Sequence, residues 1–336
     1  MSSVPIRRHL RYHRFNLKKN TMKKTILSIA AALLAAGFVN AQDLASATEL
    51  YNSAAEMLSM GKKAEALAGF QQALTDGSAL GDDAADLVTN CKNVIPGLVL
   101  SIGKEMFNNK DYDGALSKIQ EAAAVAKEYG NEDVVSEVAS LIPVISSGKA
   151  LAAGNSALSA KNFTSAVESF KSVLEADPSN GVAALRLVQC YTSLNDLDSA
   201  KSVLETAVAN GQGDNAKKLI GSALLKKAAA SLKAGKSEDA ISQAVEAAEY
   251  VKNAQAYLVA GQAATKLQKS ADAVKYYEQY LEAAPTAKNA SAITFTVAAL
   301  YQQLGNKAKA LENYKKVLTD ATYGAQAKTL VEALSK

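Results

Sequence analysis

The sequence predicts an all-α chain, a solenoid of about seven helix pairs closed by a C-terminal capping helix. Three observations predict it. One residue pattern returns seven times along the chain. Its members fall at helical spacing. Glycine and proline punctuate it where helices must turn or stop.

In each copy a usually small residue is followed twelve positions later by alanine. A usually bulky residue comes four further on, and another, usually small, three after that. In order, the copies are Ala54, Ala66, Phe70, Ala73; Gly103, Ala115, Ile119, Ala122; Gly154, Ala166, Phe170, Val173; and Val188, Ala200, Leu204, Ala207. Then come Ala228, Ala240, Ala244, Ala247; Gly261, Ala273, Tyr277, Tyr280; and Ala298, Ala310, Tyr314, Val317. Offsets of four and three put the last three residues of each copy on one helical face. The first residue of each copy lies on a preceding antiparallel helix, and small residues let the two helices approach. Gly61, Gly235 and Gly305 each precede their alanine by five, where the turn needs a permissive backbone. Pro178 and Pro285 follow theirs by twelve, where the second helix must end.

This pattern resembles the tetratricopeptide repeat over most of residues 47–324. The fullest copies are "AGNSALSAKNFTSAVESFKSVLEADP" and "LVAGQAATKLQKSADAVKYYEQYLEAAP". The copy around Ala240 departs from the family, with Ser231 in place of a tyrosine and Ala244 in place of an aromatic. The resemblance implies a right-handed superhelix that binds rather than catalyses. Its units run about 47–80, 96–129, 147–180, 181–214, 221–254, 254–287 and 291–324, with a cap at 322–336. Steps between marker alanines are 49, 51, 34, 40, 33 and 37. The two long steps leave room for extra or lengthened helices near 82–95 and 131–142. Each ends in Ile-Pro, at Pro96 and Pro143, where a kink or break is expected.

Residues 1–41 stand apart from the solenoid at 42–336. Met22-Lys23-Lys24, an apolar run at 26–39 and Val39-Asn40-Ala41 read as a secretory signal peptide at 22–41. Translation is then expected to start at Met22, with 1–21 a mis-assigned start; a twin-arginine signal at Arg7-Arg8 is the rival. The leader looks bacterial and implies export to the periplasm, the outer membrane or the exterior. The run is too short to span a bilayer comfortably, and no integral span is expected in the mature chain.

The whole chain has 37 basic and 33 acidic residues. Residues 1–41 hold eight of the basic and none of the acidic ones, leaving 29 against 33, a net −4. Arg186 is the single arginine left, and nucleic acid is not an expected partner. Both histidines, His9 and His13, lie in the leader, which removes the commonest general base and metal ligand from the remainder. No phosphate-binding loop or nucleophile elbow is present. No enzyme, cofactor or metal site is expected. Cys91 and Cys190 lie in different units and are read as small core residues rather than a disulfide.

The resemblance also implies a concave groove lined by the first helices. One row reads Tyr51, Leu100, Leu151, Leu185, Leu225, Leu258 and Phe295. Four on, it reads Ala55, Lys104, Asn155, Gln189, Ala229, Gln262 and Ala299. Seven on, it reads Leu58, Phe107, Leu158, Thr192, Leu232, Thr265 and Gln302. The candidate partner contacts are Tyr51, Leu58, Leu100, Lys104, Phe107, Leu151, Asn155, Leu158, Gln189, Gln262, Phe295 and Gln302. The first row serves either a partner or packing between helices. Only Asn155 matches the lysine-and-asparagine clamp with which some family members grip C-terminal carboxylates. The leading expectation is therefore a scaffold for another protein or peptide. The alternatives are a carbohydrate-binding protein, disfavoured by the absence of tryptophan, and a self-associating envelope protein.

Overall fold

The computed structural model describes residues 41–336; the leader and start-site expectations fall outside these residues, Ala41 apart. Among the described residues every regular element is helical. The chain forms two compact units divided between Ser146 and Ser147. The first holds α1 (Ala41–Ser59), α2 (Lys63–Ala79), a 3-10 turn (Gly81–Ala84), α3 (Ala85–Asn108), α4 (Tyr112–Glu128) and the start of α5 (Glu132–Ser159). The second holds the rest of α5, α6 (Phe163–Ala176), α7 (Gly181–Ser193), α8 (Leu197–Ser202), α9 (Leu204–Ala209), α10 (Gly213–Lys233) and α11 (Ser237–Tyr250). It continues with α12 (Ala254–Lys266), α13 (Ser270–Ala283), α14 (Ala290–Gln303), α15 (Lys307–Lys316) and α16 (Gly324–Ser335). Within each unit helices pack mainly on their sequence neighbours, as in a solenoid.

The repeated residues are the core. All seven marker alanines are fully buried, and every other member of the pattern except Leu204 is buried. The glycines sit directly beneath the bulky residue. A Cβ added to Gly154 would lie 2.8 Å from Phe170 Cε1; one on Gly261 would lie 2.6 Å from Tyr277; one on Gly103 would lie 2.5 Å from Ile119 Cγ2. Leu204 is the exception because the second helix of that pair breaks at Val203, between α8 and α9.

Every pair turns the same way. The residue five before each alanine has positive φ: Gly61, Lys110, Lys161, Asn195, Gly235, Gln268 and Gly305. The next residue's N–H reaches back five positions to a helix carbonyl, as from Lys62 to Met57 (2.9 Å) and from Asn306 to Tyr301 (2.9 Å). This is the Schellman closure, which needs a left-handed residue. That next residue also begins the second helix. Asp111, Asn162, Asp196 and Asn306 accept the N–H three residues on, at 3.0, 3.3, 3.1 and 3.1 Å. Lys62, Lys236 and Lys269 supply no side-chain cap. The second helices α6 and α13 end at Ala176 and Ala283, two residues before Pro178 and Pro285.

The long steps correct one expectation. Helices do not break at Pro96 or Pro143; both prolines lie inside α3 and α5, which run unbroken for 24 and 28 residues. Each proline removes one donor, leaving the carbonyl four residues earlier. Those carbonyls belong to Lys92 and Ala139, both exposed, where water can replace the lost partner. The added turns are therefore continuous with the first helix of their pair. Leu87, Cys91 and Ile95 bury in the first unit, as do Val134, Val138, Leu141 and Ile145 of α5. Helix α5 is long and apolar enough to cross a membrane. Its N-terminal half packs in the first unit, where Glu137 pairs with Lys104 at 2.5 Å. The first helix α10 likewise starts at Gly213, earlier than the expected 221, with Ala216 and Ile220 buried.

Both cysteines are free and buried. Burial pushes the Cys91 thiol up to about 12 and the Cys190 thiol to about 11. Tyr51 is fully buried, its hydroxyl is unpartnered among the described residues, and burial lifts its pKa to about 12.

Candidate polypeptide-binding face

Helix geometry sorts the three candidate rows by what lies behind each. The first row packs. Tyr51, Leu100 and Leu258 are buried, at 0, 3 and 7 % exposure. Leu151, Leu185, Leu225 and Phe295 are half-buried against their units' cores. Tyr51 and Leu100 are therefore core residues and not partner contacts. Tyr51 meets Phe70 edge-on at 5.0 Å. Phe295 lies 5.2 Å from the Tyr314 ring and 5.3 Å from Tyr323. The cause is the spacing itself: a residue on this line meets the core built by the second helices.

None of the other two rows' residues is fully buried, and both become more exposed toward the C-terminus. In the first unit Leu58 and Phe107 are half-buried, and Phe107 packs edge-on to Tyr112 at 6.0 Å. Lys104 is occupied by Glu137. In the second unit Asn155, Gln262 and Gln302 are exposed, while Leu158 and Gln189 are half-buried. Gln302 Oε1 accepts from the Tyr314 hydroxyl at 3.1 Å, and Gln189 Oε1 accepts from Arg186 at 2.9 Å. The side chains of Asn155 and Gln262 make no hydrogen bond among the described residues, so both keep donors and acceptors for a ligand.

Sequence reading missed the electrostatics of these faces. In the second unit the first helices carry Lys149, Arg186, Lys217, Lys218, Lys226, Lys227, Lys233 and Lys266 against a single acid, Asp214. The helix paired with α10 carries acids instead: α11 has Glu238, Asp239, Glu246 and Glu249 and no lysine. The last second helix, α15, is itself basic, with four lysines against Glu312. In the first unit α1 holds Asp43, Glu49 and Glu56 and no base, and α3 is balanced, with Asp86 and Glu105 against Lys92 and Lys104. The signal was available by counting charge helix by helix, and it vanishes in the chain-wide average.

Three family profiles match the chain, each described as a tetratricopeptide repeat, over residues 157–223, 225–288 and 295–319. No curated protein matches it. Among solved structures, MamA is 21% identical over 54% of this chain and 94% of its own, with a TM-score of 0.32. YrrB, a repeat protein with an unusual peptide-binding site, is 19% identical over 52% and 88%, at 0.29. A tetratricopeptide repeat protein from Parabacteroides merdae is 12% identical over 87% and 99%, at 0.25. At these scores neither shape nor binding mode carries over.

Proposed function

We propose, from the premise that this chain is a tetratricopeptide-repeat protein, that it is an exported, non-enzymatic scaffold which holds a segment of another polypeptide. Binding falls on the outward rows of the first helices. The observation that carries this reading is the split between rows. One line of apolar residues is consumed by packing, while the two beside it leave the amides of Asn155 and Gln262 exposed, with Leu158 half-buried next to them. Amide groups on such a face suit the N–H and C=O groups of a bound chain, and the leucines suit its side chains. The periplasm is the expected compartment, on the strength of the leader alone.

Site-specific photo-crosslinking tests the reading. A crosslinking residue replaces Gln262 on the first-helix face or Glu282 on the second-helix surface, both exposed. In the producing cell, a discrete adduct with another polypeptide is expected from position 262 and not from 282. Equal adducts from both positions, or none from 262, would overturn it. Adducts made only with a second copy of this chain would replace scaffolding with self-association.

A further inference from the structure

Charge segregation in the second unit identifies the chemistry of the partner, on the assumption that the first-helix face is the binding face. We infer that this face takes an acidic polypeptide segment with apolar residues between its carboxylates. Five cations lie on these first helices: Arg186 on α7, Lys218, Lys226 and Lys233 on α10, and Lys266 on α12. Arg186 and Lys226 each follow a first-row leucine by one position. Lys233 follows its first-row leucine by eight, as does Lys266. Lys218 precedes Leu225 by seven, and these spacings keep all five beside the outward rows. Lys266 Nζ donates to the Leu232 carbonyl at 3.3 Å, which sets α12's cation against the end of α10.

None of the five makes an ion pair among the described residues, whereas Lys201 pairs with Glu246, and Lys269 with Glu238. The four lysines are exposed and Arg186 is half-buried. Lys233 and Lys266 sit in last turns, where a cation suits the helix dipole. That effect does not explain Arg186, Lys218 or Lys226, which lie away from helix C-termini. A cluster of like charges on first helices that carry a single acid, Asp214, costs repulsion that an acidic partner removes, and it speeds that partner's encounter.

A protein segment fits better than a polyanion such as nucleic acid or a lipid surface. The chain beyond residue 41 is net −4, and acidic second helices flank the cationic face, so a large anionic surface meets repulsion around it. Leu232, half-buried on the outward row one residue before Lys233, offers apolar contact that phosphates cannot use. Seven residues of helix separate Lys226 from Lys233, about 10.5 Å along α10. An extended segment spans that distance in about three residues.

The test uses the purified protein and a fluorescein-labelled peptide, (Glu-Leu-Ser)5, with (Gln-Leu-Ser)5 as its uncharged twin. Anisotropy should show binding of the Glu peptide alone, weakened at least tenfold by high salt. The triple variant Lys218→Gln/Lys226→Gln/Lys233→Gln should lose at least tenfold in affinity. The double variant Lys217→Gln/Lys227→Gln, off the face but equally exposed, should keep it, and circular dichroism should be unchanged in both. Equal binding of the twin, or equal loss in the two variants, overturns the inference. So does tighter, lysine-dependent binding of a DNA duplex or of phosphatidylglycerol vesicles. If the Gln262 crosslink persists in the triple variant while the acidic peptide fails to bind, the acidic assignment falls and the scaffold reading stands.

Discussion

Helix pairs α12–α13 and α14–α15 follow one another in the chain, repeat the same plan, and place their glycine at opposite ends of it. In the first pair Gly261 lies in the helix under Tyr277, and the turn is made by Gln268 at φ 57°. In the second, Ala298 lies in the helix and the turn is made by Gly305 at φ 75°. The same exchange recurs elsewhere: Gly103 with Lys110 and Gly154 with Lys161, against Ala54 with Gly61 and Ala228 with Gly235. Two demands seven residues apart compete for the residue without a Cβ. One is the room taken by a bulky neighbour, and the other is a left-handed turn. Where the neighbour is Ala244 the helix needs no glycine, and in the pair α1–α2 Gly69 yields the space against Ala54. A second glycine would add unfolded-state entropy, roughly 1 kcal/mol each.

The largest way to break this contrast is Gly261→Val. The added carbons would enter the Tyr277 ring, and the variant should lose about 2–3 kcal/mol in denaturant unfolding. An unchanged midpoint would mean that the tyrosine swings aside and that packing does not demand the glycine. Next come the turns. Gly305→Gln should cost about 1 kcal/mol and Gln268→Gly should gain about as much, because a left-handed residue with a Cβ carries that penalty. A loss from Gln268→Gly would show that the turn is relaxed, and the contrast would fail.

Caps give a smaller effect. Asn306→Ala removes the acceptor for the Lys309 N–H and should cost about 0.5–1 kcal/mol, whereas Lys236→Asp should recover a similar amount by adding one. Smallest of all is Glu238→Gln, which breaks the exposed pair with Lys269. Melting followed by circular dichroism should not move resolvably, with or without salt. A measurable drop would mark that pair as compensation for the uncapped Lys269 turn.

Much of this was legible beforehand. The marker alanines and their bulky neighbours were readable because burial in a repeat is periodic, and the three turn glycines were readable because few residues tolerate positive φ. Lys110, Lys161 and Gln268 escaped notice at the same place, since nothing in a lysine or glutamine announces a left-handed backbone. The runs through Pro96 and Pro143 were hidden because proline's local penalty is overridden once the buried stripe on either side, Cys91 to Val99 or Val138 to Ile145, holds the helix together. Of the candidate contacts, Tyr51 and Leu100 failed because an apolar line at helical spacing has the same signature whether it meets a ligand or the next helix. Asn155 and Gln262 are exposed, as a row that mixes polar and apolar residues suggests. The break at Val203 carries no sequence signal that we can identify.

The two thiols have a further consequence. One is sealed in each compact unit, and burial keeps both protonated at neutral pH, where they resist alkylation. Each becomes reactive only when its own unit opens. The labelling rate at Cys91 therefore clocks the opening of residues 41–146, and the rate at Cys190 clocks that of 147–336. The molecule comes with two stopwatches, and a ligand held by the second unit should slow only one of them.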